Sequence, residues 1–546
     1  LHELYKSTGG ANWNYTSMQK FDNKYAIEYL NGIQWKFTKD SINNEYKIDP
    51  CTPNKFQGIA CNCDNILCEI TQFVFVEGKL KGSIPSSLGQ LTALEVLQVQ
   101  DNELSSNIPK ELGQLTSLFL LNLGNNLLTS SIPSTFGNLI KLTNINLSNN
   151  KLTSFIPPEL GKNLTELGEI NFGNNLLTSS IPSTFGNLLN LKNLYLSYNR
   201  FSFSIPVELS YLTNLKYLHI RNNLLSSSIP PAFGKLTKLV TISLRNNKLN
   251  SSIPSTFGNL TELKILQLQY NQLTSIIPQE LGRCKKLQNL HLTFNKLTSS
   301  IPSDLSLCTE LTNLFLNENE LSSTIPPSFE NLVKLQLLNL ANNKLSSSLP
   351  ATLGKLTNLQ LMRLQNNQIT GTLPHEIGLL PNLQYLLMQN NNLKGSIPES
   401  VFPDLYELFL GNNSLTGQIP MFQSNSLRVL SLHDNQLSGH IVIKPTIAKV
   451  MEVFQVHNNK LSGNPFSTGT SISTSTSIIN AKSLKVLDLS SNMFTGIISD
   501  NIFSKLTELK SFIIGSNCFS GSLPPNICQL NDLQTLVISS IGSGNS

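Results

Sequence analysis

The sequence predicts an α/β solenoid: a right-handed superhelix of about twenty turns, with a parallel sheet on its concave side and irregular or 3₁₀ segments on its convex side. Three observations predict it. A unit reading L-x-x-L-x-L-x-x-N-x-L, followed by a turn and I-P, recurs almost to the end of the chain, as at residues 94–104 and 118–128. Its Asn returns every 24 residues from Asn102 to Asn150 and, after one step of 25, from Asn175 to Asn391. The spacing then becomes irregular at Asn413, Asn435, Asn459, Asn492 and Asn517, with Gly78 and Ile541 in the equivalent place of an opening and a closing turn. Within each unit the apolar residues alternate, which is the period of a strand with one buried face.

Taken in chain order, residues 1–69 read as an N-terminal cap. Leu1, Leu4 and Tyr5 have helical spacing, and Gly9 and Gly10 stop the helix. The solenoid then occupies residues 70–546. Each turn opens on its strand. The ladder Asn points inward, where a buried amide must find backbone partners. The I-P pair leaves the turn extended, because Pro fixes φ and restricts the residue before it. The following L-G-x-L-x-x-L is too short for a long helix and predicts 3₁₀ or irregular structure. A Ser/Thr-rich stretch at residues 465–477 lengthens one step and reads as a looped-out turn. The last strand pattern, residues 533–538, is followed by S-S-I-G-S-G-N-S with no clear polar cap, so we expect the chain to continue or another molecule to cover that end.

Composition narrows the function classes. Charged residues make up 13% and the net charge is +5, a mild balance that does not suggest nucleic acid. No run of 18 apolar residues appears, so no membrane span is expected. The chain lacks a starting Met and a signal peptide and reads as a processed or trimmed segment. There is no G-x-S-x-G and no H-E-x-x-H, and His375-Glu376 lacks the second His of a zinc helix. The seven His are scattered. We therefore expect no enzyme, no cofactor and no metal. Eight cysteines fall into plausible groups: Cys51, Cys61, Cys63 and Cys68 before the first repeat, Cys284 and Cys308 at the same slot of adjacent turns, and Cys518 and Cys528 around one late turn. All eight are expected in disulfides, which favours an oxidising compartment. A zinc reading of the first group has little His nearby to support it. Six N-x-S/T sequons, at Asn14, Asn146, Asn163, Asn250, Asn259 and Asn412, agree with secretion. Asn146 takes a strand slot, so a glycan there would block that stretch of the concave face.

The repeat resembles the plant-type extracellular leucine-rich-repeat class, L-x-x-L-x-L-x-x-N-x-L-x-G-x-I-P-x-x-L-G-x-L-x-x-L, over nearly the whole chain. The opening L-H-E-L-Y-K-S-T-G-G-A-N-W resembles that of many secreted members, and D-P-C-T-P-N-K-F-Q-G-I-A-C resembles their disulfide-bonded cap. The resemblance implies a receptor-ectodomain or polygalacturonase-inhibitor-like binder. One departure is marked. The class Gly before x-I-P is present as Gly82, Gly371, Gly395 and Gly417, but through the middle of the chain it is Ser, as in T-S-S-I-P at residues 129–133. The stretch G-N-N-L-L-T-S-S-I-P-S-T-F-G-N-L occurs at residues 124–139 and 173–188, which suggests a duplicated two-repeat block.

Specificity should lie in the outward strand slots. The first outward column reads Tyr195, His219, Ser243, Gln267, His291, Phe315, Asn339, Arg363, Leu387 and Phe409. The second reads Ser197, Arg221, Arg245, Gln269, Thr293, Asn317, Ala341, Gln365 and Gln389, with Tyr198, Tyr270 and Phe294 beside it. Aromatics and Arg are enriched at binding hot spots. The candidate site is thus Tyr195, Tyr198, His219, Arg221, Arg245, Tyr270, His291, Phe294, Phe315 and Arg363. The leading reading is a secreted, non-enzymatic scaffold that holds an extracellular protein, peptide or glycan on its concave face. Two alternatives are a matrix or filament protein that self-assembles through its ends or flanks, and binding of ice or a polysaccharide surface by Ser/Thr ladders spaced ~4.8 Å apart.

Overall fold

The computed structural model describes Ser7 and residues 59–63, 68–399, 402–467 and 477–539. Most of the expected cap, with its helix, Cys51 and Asn14, lies outside the described residues, as do Ile541, most of the Ser/Thr-rich stretch, and the side chains of Cys63 and Cys68. The chain divides into two compact units, Leu1–Leu273 and Thr274–Ser546.

The first unit opens on an antiparallel pair, Ile59–Cys63 with Cys68–Val74, whose register shifts between Ala60 and Cys61. From there every turn adds one parallel strand. Val96–Gln98, Leu120–Asn122 and Asn144–Asn146 follow, and the unit's last is Ile265–Gln267. The second unit repeats this from Asn289–His291 to Thr535–Val537. Strands of three residues suffice because the middle residue points inward: Leu121, Leu194 and Leu218 are buried while their neighbours are half-exposed on the outer face. Residues 24 apart therefore stand side by side, as in Tyr195 against His219.

The ladder Asn does what a buried amide requires. Asn126 Nδ2 donates to the carbonyls of Val99, Leu123 and Gly124 at 2.9, 3.2 and 3.1 Å, and its Oδ1 accepts from Leu104 N at 2.9 Å. Two of these bonds reach the preceding turn, so the amide staples one turn to the next. The same set recurs at Asn223, Asn343 and Asn391.

On the opposite side the expected 3₁₀ segments form. In Ser134–Asn138, Pro133 holds extended φ −64° and ψ 131°, and Phe136 is buried. The Gly within such a segment has a packing reason: a Cβ on Gly113 would lie 2.4 Å from the Thr135 carbonyl oxygen of the next turn.

Between these layers the structure adds an element not anticipated from the repeat. The residues after the ladder Asn form a second line of short parallel strands. In the first unit Lys81–Ser83, Glu103–Asn107, Leu127–Ser130 and Lys151–Leu152 pair in series. In the second, Lys394–Gly395 to Cys518–Ser520 do so. At or beside the end of these strands lies the slot usually held by Gly or Ser, which is left-handed: φ is 77° at Gly395, 79° at Gly417 and 66° at Ser130. The class Gly is a conformational requirement there, and the Ser of the middle turns accepts strain in its place.

The cysteine expectation is corrected at two pairs. Cys284 and Cys308 are buried thiols. They fill the inward slot that Leu260 and Leu332 hold in other turns, and Cys308 Sγ donates to the Leu281 carbonyl at 3.4 Å. Burial pushes the Cys308 thiol up to about 12, with Cys284 adding to the shift. Cys518 and Cys528 are exposed thiols, one on a flank strand and one in the 3₁₀ turn that follows. Cys61 is disulfide-bonded.

Candidate functional site

Each unit presents its own outward sheet face. In the first unit the strands Asn193–Tyr195, Tyr217–His219 and Thr241–Ser243 set Tyr195, His219 and Ser243 in one row. The His219 ring meets Tyr195 edge-on at 5.1 Å and Tyr217 at 6.5 Å. In the next column Arg221 places its guanidinium 5.3 Å from the centre of the Tyr198 ring, within cation–π range. The Ser243 hydroxyl donates to Gln267 Oε1 at 2.9 Å.

Two observations mark this face as unfinished. First, His219 Nε2, Arg221 Nε and Arg245 Nε are buried and have no hydrogen-bond partner. Among the described residues no carboxylate forms an ion pair with either Arg. A buried donor without an acceptor costs about 1–3 kcal/mol, so such groups normally have partners. Second, the residue before the ladder Asn is left-handed in every regular turn, a place usually taken by Asn, as at Asn222 and Asn246. Tyr198 and Tyr270 stand there with φ 57°, although 45% and 49% exposed. A bulky aromatic at positive φ is strained, and neither ring recovers that cost by burial.

Electrostatics follows from the same crowding. Burial first, and then the Arg221 charge, hold His219 below its ordinary value. Burial, then the Glu169 carboxylate and Tyr217, hold Tyr195 above its own. The face therefore favours the neutral imidazole at His219 and the neutral phenol at Tyr195.

In the second unit His291 packs against Phe315 with ring centres 4.9 Å apart. Phe294 repeats the strained slot at φ 52°, and Arg363 is exposed on its strand. Further along, Tyr385 stacks on Tyr406 at 6.2 Å, and Arg428 lies 5.4 Å over Tyr406. Arg428 also pairs with Glu452 at 3.1 Å, so it is already neutralised. Tyr195, Tyr198, His219, Arg221, Arg245 and Tyr270 thus belong to the first unit, and His291, Phe294, Phe315 and Arg363 to the second.

A further group lies beyond Phe409 and Gln389, where the regular 24-residue spacing has ended. Continuing the second column gives His433 and His457, 24 apart, with Asp434 beside the first. The Ser/Thr ladders are partly consumed internally: Thr135, Thr184 and Thr352 donate their hydroxyls to the carbonyls of Lys110, Pro158 and Pro327 in the preceding turns. His375 and Glu376 lie exposed in a single helical turn, His375–Gly378. No helix among the described residues is long and apolar enough to cross a membrane.

Comparisons with known proteins agree with this architecture. A leucine-rich repeat region family matches residues 173–315, a leucine rich repeat family matches 140–201 and 309–369, and a single-repeat family matches 117–139, 382–403 and 483–504. No curated protein matches the chain. Among solved structures, the plant peptide hormone receptor RGFR1 in complex with RGF2 is 30% identical, with a TM-score of 0.78 over 89% of this chain and 83% of that one. The Arabidopsis receptor kinase HAESA, in complex with the peptide hormone IDA and the co-receptor SERK1, is 29% identical, with a TM-score of 0.75 over 90% and 85%. A leucine-rich-repeat protein of Leptospira interrogans is 30% identical, with a TM-score of 0.53 over 71% and 90%.

Proposed function

From the fact that the chain belongs to the plant-type extracellular leucine-rich-repeat family, we propose that it is an extracellular, non-enzymatic recognition scaffold that holds an extended peptide against the outward sheet face of its first unit. The observation that carries this is the set of buried, unpartnered nitrogens, the donor Nε of Arg221 and of Arg245 and the ring Nε2 of His219, beside the strained, exposed rings of Tyr198 and Tyr270. Guanidinium groups without a counter-ion call for a ligand carboxylate, or for backbone carbonyls of an extended chain. The tyrosines supply flat apolar area with little side-chain entropy to lose. The solved relatives RGFR1 and HAESA bind peptide hormones, which supports the choice of a peptide over a glycan.

The mechanism is preorganisation. The sheet fixes each outward side chain at the spacing of its strand, so binding orders few protein groups. The ladder amides beneath hold the turns in register and leave the outward slots free to vary.

A linear-peptide display library selected on the full chain tests the reading. The selected binders should carry acidic groups and weaken at high salt. Arg221→Ala with Arg245→Ala, and Tyr198→Ala by itself, should each lower their affinity at least about 30-fold, as expected of hot-spot residues worth ~2 kcal/mol or more. Binders that hold both variants as tightly as the parent would overturn the proposal.

A further inference from the structure

We propose that the second unit carries a divalent transition-metal site built from His433, Asp434 and His457, with Asp488 supporting His457 from behind. His433 Nδ1 lies 2.7 Å from Asp434 Oδ2, and His457 Nε2 approaches the same oxygen at 3.8 Å. One ligand atom from each of the three residues fits within 4.8 Å of the others. Ligands of a tetrahedral ion bonded at 2.0–2.1 Å stand about 3.3 Å apart, between the two distances seen. The imidazoles come from the same slot of adjacent turns and stack with centres 4.6 Å apart and planes 3° from parallel. Closing on an ion requires the rings to tilt out of that stack so that both lone pairs converge beside Asp434.

Three features separate this group from a chance surface cluster. The first is the outer carboxylate. Asp488 is 8% exposed, and its Oδ1 accepts from the Ser490 amide at 3.1 Å and hydroxyl at 2.7 Å. Its Oδ2 lies 3.1 Å from His457 Nδ1, leaving Nε2 on the side of Asp434. A carboxylate behind a ligating His is the usual support in metal sites. The second is that His457 Nδ1 is buried against Asp488 Oδ2 at 3.1 Å but out of line for a hydrogen bond while the ring stays in its stack. The third is charge. Two carboxylates meet here, and among the described residues no Lys or Arg forms an ion pair with either. The Asn458 amide donates to Asp434 Oδ1 at 2.6 Å and holds that side chain in place.

Two imidazoles and one carboxylate suit Zn²⁺ or Cu²⁺ better than Ca²⁺ or Mg²⁺, which prefer oxygen donors. The position on the outward sheet face, with a coordination place left open, would let a bound ion also receive a donor from another molecule. This site does not depend on the peptide proposal, because it uses other residues in the other unit.

Calorimetric titration of the untagged, chelator-treated full chain with ZnCl₂ and with CuCl₂ tests it. The background carries Cys518→Ser and Cys528→Ser, which remove two exposed thiols that also bind these ions. One ion per chain is expected, with no uptake of Ca²⁺ or Mg²⁺. His433→Ala with His457→Ala should abolish the tight phase, Asp488→Asn should weaken it about 10–100-fold, and His375→Ala should leave it unchanged. Asp434→Asn keeps the side-chain shape and should also abolish it, which decides the matter if the His double variant fails to fold. Absence of stoichiometric binding by the parent, or an undiminished ion in the folded Asp434→Asn and His variants, would overturn the proposal.

Discussion

At the scale of the residue, identity and backbone conformation are tied together slot by slot. The ladder Asn was legible because an inward amide has one way to be satisfied, and Asn223 meets it with an acceptor bond from Phe201 N and donor bonds to the Leu196 and Ile220 carbonyls. The left-handed slot before it was not legible, since nothing in a one-letter string marks φ. That slot turns Tyr198, Tyr270 and Phe294 from ordinary exposed aromatics into strained ones. His219 gives a prediction at this scale. Its folded value is held below 6.5 by burial and then by Arg221, so the fold prefers the neutral ring. The unfolded chain binds the proton more readily. This contribution to stability is therefore complete above pH ~6.5 and is lost as the pH falls below it. A proton NMR titration should place the His219 midpoint below 6.5, and His219→Gln should flatten part of the acid limb of a stability–pH curve. A midpoint at or above 6.5 would contradict the assignment.

At the scale of the element, the strand and the 3₁₀ turn are set by different constraints. The strand needs one buried residue in three, so its outward positions are free to carry function. The 3₁₀ turn approaches its neighbour closely, and the local contact decides where a Cβ fits: Ser210 and Ser306 hold the slot that is Gly113 in another turn. A Cβ on Gly113 would meet the Thr135 carbonyl oxygen at 2.4 Å, whereas one on Gly168 would meet only the Thr143 carbonyl oxygen at 3.7 Å. Gly113→Ala should therefore lower stability by about 1–3 kcal/mol, and Gly168→Ala by less than ~1 kcal/mol, as read from urea denaturation. Equal effects would refute the contact argument. The second line of strands was missed at this scale because its residues, such as Leu127–Ser130, show no alternation and end in a left-handed Ser.

At the scale of the whole molecule, contacts run between neighbouring turns, as the register of each strand with the next shows. Damage should therefore stay local. Asn223→Ala strands several buried backbone groups and should cost about 1–3 kcal/mol. Hydrogen exchange should accelerate in the turns flanking residue 223 and remain unchanged at the strand Val96–Gln98. Uniform acceleration across the first unit would show a single cooperative block instead.

The sequence by itself determined the solenoid, its strand register, its inward Asn ladder and the columns in which Tyr195, His219, Arg221 and Arg245 stand. A 24-residue period leaves no other way to bury one Leu-rich face. Only the tertiary structure decided which outward residues lack partners, that Cys284 and Cys308 serve as buried thiols in Leu slots, and that His433, Asp434, His457 and Asp488 converge. The reason is physical. Periodicity tells where a side chain points, whereas satisfaction, strain and coordination depend on distances between turns.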